Sequence, residues 1–262
     1  MTKEKIKEYK EKLKEVKDGW HGRIDYGLLD LATEVYNDLS DEKWARELYK
    51  KSILEFNKEN EISDTINYFH GLSRFANEIY NNFDKDWGNT LYNDIINSQS
   101  PEGILDVADN LISAKIANDE SKLRGKELLI KLKEPNYLEN IDQDYKVEFL
   151  SGIALRLIEE LGDPNTGKIF YDFAGSLANN YMDFMDLAGT FIRNKLIEEA
   201  KIYINKAKDS AEDGSELFEV GMKYLEIDDE VTAKNIMEES LEKFKDEDEK
   251  KEHIERIKDL FG

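Results

Sequence analysis

Six times along the chain, a small residue is followed four positions on by a larger apolar one, and three positions later by a residue that is usually small again. The copies are Ala45-Tyr49-Ser52, Gly88-Tyr92-Ile95, Gly125-Leu129-Leu132, Gly167-Tyr171-Ala174, Ala200-Ile204-Ala207 and Ala233-Met237-Ser240. Their leading residues lie 43, 37, 42, 33 and 33 apart. A second pattern precedes each copy by one helix length. It reads Leu28-Leu31-Ala32-Val35, Leu72-Phe75-Ala76-Ile79, Ile104-Val107-Ala108-Leu111, Leu150-Ile153-Ala154-Leu157, Phe184-Leu187-Ala188-Phe191 and Leu217-Val220-Gly221-Tyr224. Offsets of 3 and 4 place these residues on one helical stripe. Each unit therefore predicts a helix A, a short polar turn and a helix B.

The small residues have a steric role. Two antiparallel helices approach closely only where a side chain is absent or a methyl, while larger neighbours fill the flanking grooves. The turns Ser40-Asp41-Glu42, Asp84-Lys85-Asp86, Gly162-Asp163-Pro164-Asn165 and Asp228-Asp229 are rich in capping and turn residues. The third unit carries extra length between Ala108 and Gly125. One hairpin cannot bury its own stripe, so neighbours must stack. The expected fold is all-α, a right-handed α-solenoid of about six antiparallel helix-turn-helix repeats over residues 24–245.

Capping helices are expected at both ends. Ile6, Tyr9, Leu13, Val16 and Trp20 form an amphipathic stripe within residues 1–20, which carry 7 bases and 5 acids. Ile254, Ile257, Leu260 and Phe261 do the same within 246–262. Charge is distributed unevenly. The chain has a formal net charge of −21, and residues 209–262 alone hold 19 acids against 8 bases. Such a surface repels phosphate backbones and favours basic partners, so direct nucleic-acid binding is not expected. There is no cysteine, and His21, His70 and His253 are scattered, so neither a thiolate nor a histidine-rich metal site is expected. No segment is apolar and long enough for a membrane span, and no secretory h-region opens the chain; the cytoplasm is the default expectation.

These helical pairs resemble the tetratricopeptide repeat, whose unit places a bulky residue, Leu, Gly/Ala and Tyr on helix A and Ala, Phe and Ala on helix B. Leu28, Leu31, Ala32 and Val35 with Ala45, Tyr49 and Ser52 match it, as do Leu150, Ile153, Ala154, Leu157, Gly167, Tyr171 and Ala174. A third match runs through Phe184, Leu187, Ala188, Ala200, Ile204 and Ala207. The family's inter-repeat proline is missing, and the first three spacings are longer than its 34-residue period. The resemblance implies peptide binding in a groove lined by A helices. It places Tyr36 and Asn37 of the first unit, and His70, Asn77, Tyr80 and Asn81 of the second, on that groove. The Tyr-Asn pair recurs 44 residues apart at the same helix position. Amide and phenol groups can hydrogen-bond an extended backbone, and tyrosine adds apolar area. Leu29 and Thr33 occupy two positions of the family's two-carboxylate clamp, so that activity is not expected.

Motifs for chemistry are weak. Gly162 to Lys168 fits G-x-x-x-x-G-K, but the next residue is Ile169 and the preceding stretch is helical by period, so a phosphate loop is not expected. The acid runs at Asp41-Glu42, Asp228-Asp229-Glu230 and Asp246-Glu247-Asp248-Glu249 fall in polar turns and read as caps. Trp44 and Trp87, just before the small residue of helix B, are expected to seal the A–B turn. The expectation is a non-enzymatic protein-interaction module without cofactor or metal, binding a basic protein or peptide. The alternative is an acidic mimic of nucleic acid that occupies a DNA-binding protein.

Overall fold

A computed structural model of the chain describes residues 3–18, 23–59, 65–113 and 117–262. Trp20 and His21 lie outside the described residues. The described secondary structure is helical throughout: α1 (Lys3–Lys17), α2 (Ile24–Leu39), α3 (Glu42–Glu59), α4 (Thr65–Asn82), α5 (Lys85–Asn97), α6 (Pro101–Ser113), α7 (Asp119–Lys131), α8 (Pro135–Leu138), α9 (Lys146–Glu159), α10 (Pro164–Leu177), α11 (Tyr181–Arg193), α12 (Ile197–Ser210), α13 (Gly214–Glu226), α14 (Glu230–Ser240) and α15 (Glu247–Phe261). The six A-type stripes fall on α2, α4, α6, α9, α11 and α13, and the B-type patterns on the helices that follow each.

The strongest packing joins each A helix to its own B helix. The crossing is made where the small residues predict. A Cβ on Gly125 would lie 2.9 Å from the Ala108 carbonyl oxygen, and one on Gly221 would lie 3.2 Å from that of Ala233. Each A helix also touches the next A helix within its row, α2 to α4 to α6 and α9 to α11 to α13. This makes each row a solenoid of stacked hairpins.

The hairpins divide into two compact units, residues 1–141 and 142–262. Unit 1 holds α1 to α8. Unit 2 holds a 3-10 turn (Gln143–Tyr145) and α9 to α15. The division falls where Pro135 starts the one-turn helix α8 instead of a new A helix. Trp87 meets Phe83 and Tyr49 edge-on, each with ring centroids 6.2 Å apart, over the α4–α5 turn.

In unit 1, α1 caps the row on α2. Tyr9 donates to Asp38 at 2.7 Å and Lys12 bonds Glu34 at 2.9 Å. In unit 2, α15 buries Ile257 against Phe218 and Met237. Successive B helices are tied by long polar side chains. Arg46 reaches Asp84 at 2.6 Å, Arg124 reaches Asn89 and Asn93 at 2.7 and 2.8 Å, and Lys208 reaches Glu239 at 2.7 Å.

The expected turn chemistry is present. Asp41, Asp84, Asp163 and Asp229 each accept the backbone N–H three residues on, at 3.0 to 3.1 Å. Gly162 takes φ +62 at the end of α9, and Pro164 opens α10, so the G-x-x-x-x-G-K run joins two helices. The Trp87 N–H first, and then Arg46, hold the Asp84 carboxyl below the usual carboxylate range. A carboxylate lowered on folding stabilises above its unfolded pKa, and that contribution is lost as pH falls through the folded value. Asp84→Ala should cost about 1 kcal/mol at neutral pH, read from urea midpoints, and the difference from wild type should shrink below about pH 4.

Candidate functional site

Helical geometry decides which residues of an A helix point away from its own helix B. At about 100° per residue, a position four beyond the small residue lies only about 40° from it, on the face that meets helix B. A position two before or two after lies about 160° away, on the opposite face. In unit 1 these outward positions hold Asp30, Arg74 and Asp106, then Glu34, Glu78 and Asn110. In unit 2 they hold Gly152, Asp186 and Glu219, then Arg156, Thr190 and Lys223.

The same arithmetic explains where the six sequence candidates fall. Tyr80, four residues beyond Ala76, is 3% exposed; it packs on Tyr92 with ring centroids 5.5 Å apart and abuts Gly88. Its side chain is turned into the α4–α5 hairpin, where it borders a small cavity with Asn89 and Arg124, and not onto the outward A-helix face where the groove was expected. Tyr36 sits edge-on to Phe83 at 5.0 Å. Asn81 donates to Asn77 Oδ1 at 2.5 Å, and the Tyr92 hydroxyl reaches the same oxygen at 3.3 Å, which turns both amides into the α4–α5 hairpin. Asn37 and His70 remain exposed. The His70 side chain is 74% exposed, with Nδ1 held 3.0 Å from Asp106 Oδ2. Of the two clamp positions, Leu29 is buried and Thr33 is engaged with Glu78 at 2.7 Å.

A cavity of about 600 Å³ opens on the A-helix face of unit 2. Its walls come from α9, α11 and α13 and include Glu148, Met182, Asp186, Arg193, Glu219 and Lys223. Gly152 and Gly189 both line it: a Cβ on Gly152 would stand 3.2 Å from Arg156 Nη1, whereas one on Gly189 would find nothing nearer than Lys223 Nζ at 3.8 Å and Arg193 Nη1 at 4.0 Å. Arg193 also donates to Thr190 Oγ1 at 3.0 Å, and Lys223 pairs with Glu226 at 2.8 Å. At the other end, the buried Tyr181 hydroxyl donates to Glu219 at 2.9 Å and to the Glu216 carbonyl at 3.1 Å. Burial, followed by Glu219, pushes that phenol well above its ordinary range, so it stays a donor. Burial and then the neighbouring Asp183 raise the Asp186 carboxyl, while Arg193 and Lys223 oppose them. The Ser151 hydroxyl lines the cavity, buried and without a hydrogen-bond partner. Asn81 Oδ1 in unit 1 is the other such side-chain oxygen among the described residues.

None of these cavity residues stands out in the sequence as a candidate. The signal was present in the outward positions two residues either side of Ala154, Ala188 and Gly221. Comparison of the chain with protein-family models, with curated proteins and with solved structures returns no match. Among the described residues, no helix is long and apolar enough to cross a membrane.

Proposed function

We propose that the chain is a non-enzymatic protein-interaction module, and that the A-helix groove of unit 2 receives a segment of a partner protein. The observation that carries this reading is the 600 Å³ opening across three consecutive A helices, floored by two glycines and containing a buried hydroxyl with nothing to bond. Buried polar groups are almost always hydrogen-bonded, and an occupant's backbone would complete this one. Met182, 63% exposed at the rim, gives the groove a pliable apolar contact. The hairpins are read as degenerate tetratricopeptide-like units, consistent with binding along A helices. The net charge of −21 should draw a basic partner in quickly and in a salt-dependent way. Mimicry of nucleic acid is less well supported, because Arg74 interrupts the outward carboxylates of unit 1.

The test is site-specific photocrosslinking. A benzoylphenylalanine at Met182 should capture a discrete partner in cells, and Gly189→Trp, which fills the floor, should abolish the capture while leaving the circular dichroism unchanged. The same probe at Ile202, exposed on α12, is the control. Equal capture at Ile202, or capture at Met182 that survives Gly189→Trp, would remove the groove from the reading.

A further inference from the structure

The charges in the unit 2 groove are sorted along the helix axes. Asp186 and Glu219 stand two residues before the small residues Ala188 and Gly221. Lys223 stands two residues after Gly221, and four residues of helix separate the two levels by about 6 Å. Helical side chains lean towards the N-terminus, so Arg193 folds back over the preceding turn. Its guanidinium and the Lys223 ammonium, which come from different helices, lie 4.0 and 3.8 Å from where a Cβ on Gly189 would stand.

These opposite charges stay apart. Among the described residues, neither Asp186 nor Glu219 forms an ion pair with Arg193 or Lys223. Lys223 turns to Glu226, and Glu219 takes its hydrogen bond from Tyr181. Two acids at one end and two bases at the other thus face a shared cavity without neutralising one another.

We infer that the groove is shaped for an extended segment of mixed charge, with a lysine or arginine at the Asp186–Glu219 end and an acidic residue two positions along at the Arg193–Lys223 end. This rests on the reading of the groove as a protein-binding site. Residues i and i+2 of an extended chain lie on one face about 6.6 Å apart, which matches the separation of the two charge levels. The unpartnered Ser151 hydroxyl on the same wall leaves one hydrogen bond for an extended backbone to complete when it settles there. Burial has already raised the Asp186 carboxyl, and an incoming cation would favour its charged form.

Fluorescence anisotropy with three dye-labelled peptides of equal length tests this, using Lys-Ala-Glu, Lys-Ala-Lys and Glu-Ala-Glu repeats at low salt. Wild type should prefer the mixed peptide by about tenfold over either uniform one. Asp186→Lys should move the preference to the acidic peptide, and Arg193→Glu to the basic one; both positions are exposed enough to tolerate the change. Gly189→Trp should abolish binding of all three. Preference for the basic peptide, no preference, or no binding of the mixed peptide at millimolar concentration each overturns the mixed-charge inference. The crosslinking at Met182 judges the groove reading separately.

Discussion

Gly88→Ala should destabilise unit 1 by about 2 kcal/mol, while the same change at Gly189 should stabilise unit 2 by about 0.5–1 kcal/mol. Both glycines are helical, and alanine is the better helix former by about 1 kcal/mol, so local propensity favours both substitutions. The surroundings separate them. A Cβ on Gly88 would lie 2.6 Å from Tyr80 Cα and 2.7 Å from Tyr80 N. Those are backbone atoms of α4, and no side-chain rotation relieves the overlap. The helices must move apart, and overpacking of this kind costs about 1–3 kcal/mol or more, which outweighs the gain in propensity. Gly189 faces the open groove, so only the propensity gain remains.

The tryptophans make the experiment clean. Trp20, Trp44 and Trp87 all belong to unit 1, so intrinsic fluorescence follows that unit while circular dichroism follows both. In urea, Gly88→Ala should shift the fluorescence midpoint down. Gly189→Ala should leave it in place and raise the dichroism transition of unit 2. An unchanged or raised fluorescence midpoint for Gly88→Ala would mean that the A–B crossing is looser than described.

Phe75→Ala should cost about 3–5 kcal/mol in unit 1, more than the glycine substitution at the α4–α5 crossing. Phe75 is fully buried at 0% exposure and stands on α4 between two rings of the first hairpin. Tyr26 of α2 stacks on it at 5.5 Å, and Phe56 of α3 meets it at 5.0 Å. Its removal leaves a cavity at the seam between two hairpins, where neither can close inwards without losing its own A–B packing. Phe75→Leu should recover part of the loss. Val231→Ala, at a residue 75% exposed on α14 of unit 2, should stay within about 0.5 kcal/mol of wild type. Fluorescence-detected urea midpoints report the first two, and dichroism reports the third.

Burial leaves a periodic mark, and so the hairpins were legible in the sequence. Ala108 facing Gly125 and Gly221 facing Ala233 are the contacts that the spacing predicts. Caps were legible too, since Asp41, Asp84, Asp163 and Asp229 act through backbone groups only three residues away. The division at residue 141 was harder to see. A one-turn helix such as α8 is shorter than a period, and it leaves the spacing from Gly125 to Gly167 inside the range of the other repeats.

The candidate site was less legible for a related reason. Polar residues carry no packing signature of their own, and the family-based offsets pointed to Tyr80, Asn77 and Asn81, which the α4–α5 hairpin uses for itself. Arg193 and Lys223 are 30 residues apart, and both come near Gly189 only once α11 and α13 are packed. The bond from His70 to Asp106 spans 36 residues in the same way.

The polar ties between B helices give each row a compliant back and a firm front. Inner seams are close-packed hydrocarbon and indifferent to electrolyte, whereas the arginine and lysine struts outside weaken as ions screen them. Added salt should therefore slacken the outer edge of each row, where Arg46 meets Asp84 and Lys208 meets Glu239, and leave the hydrocarbon seams within each hairpin as they are.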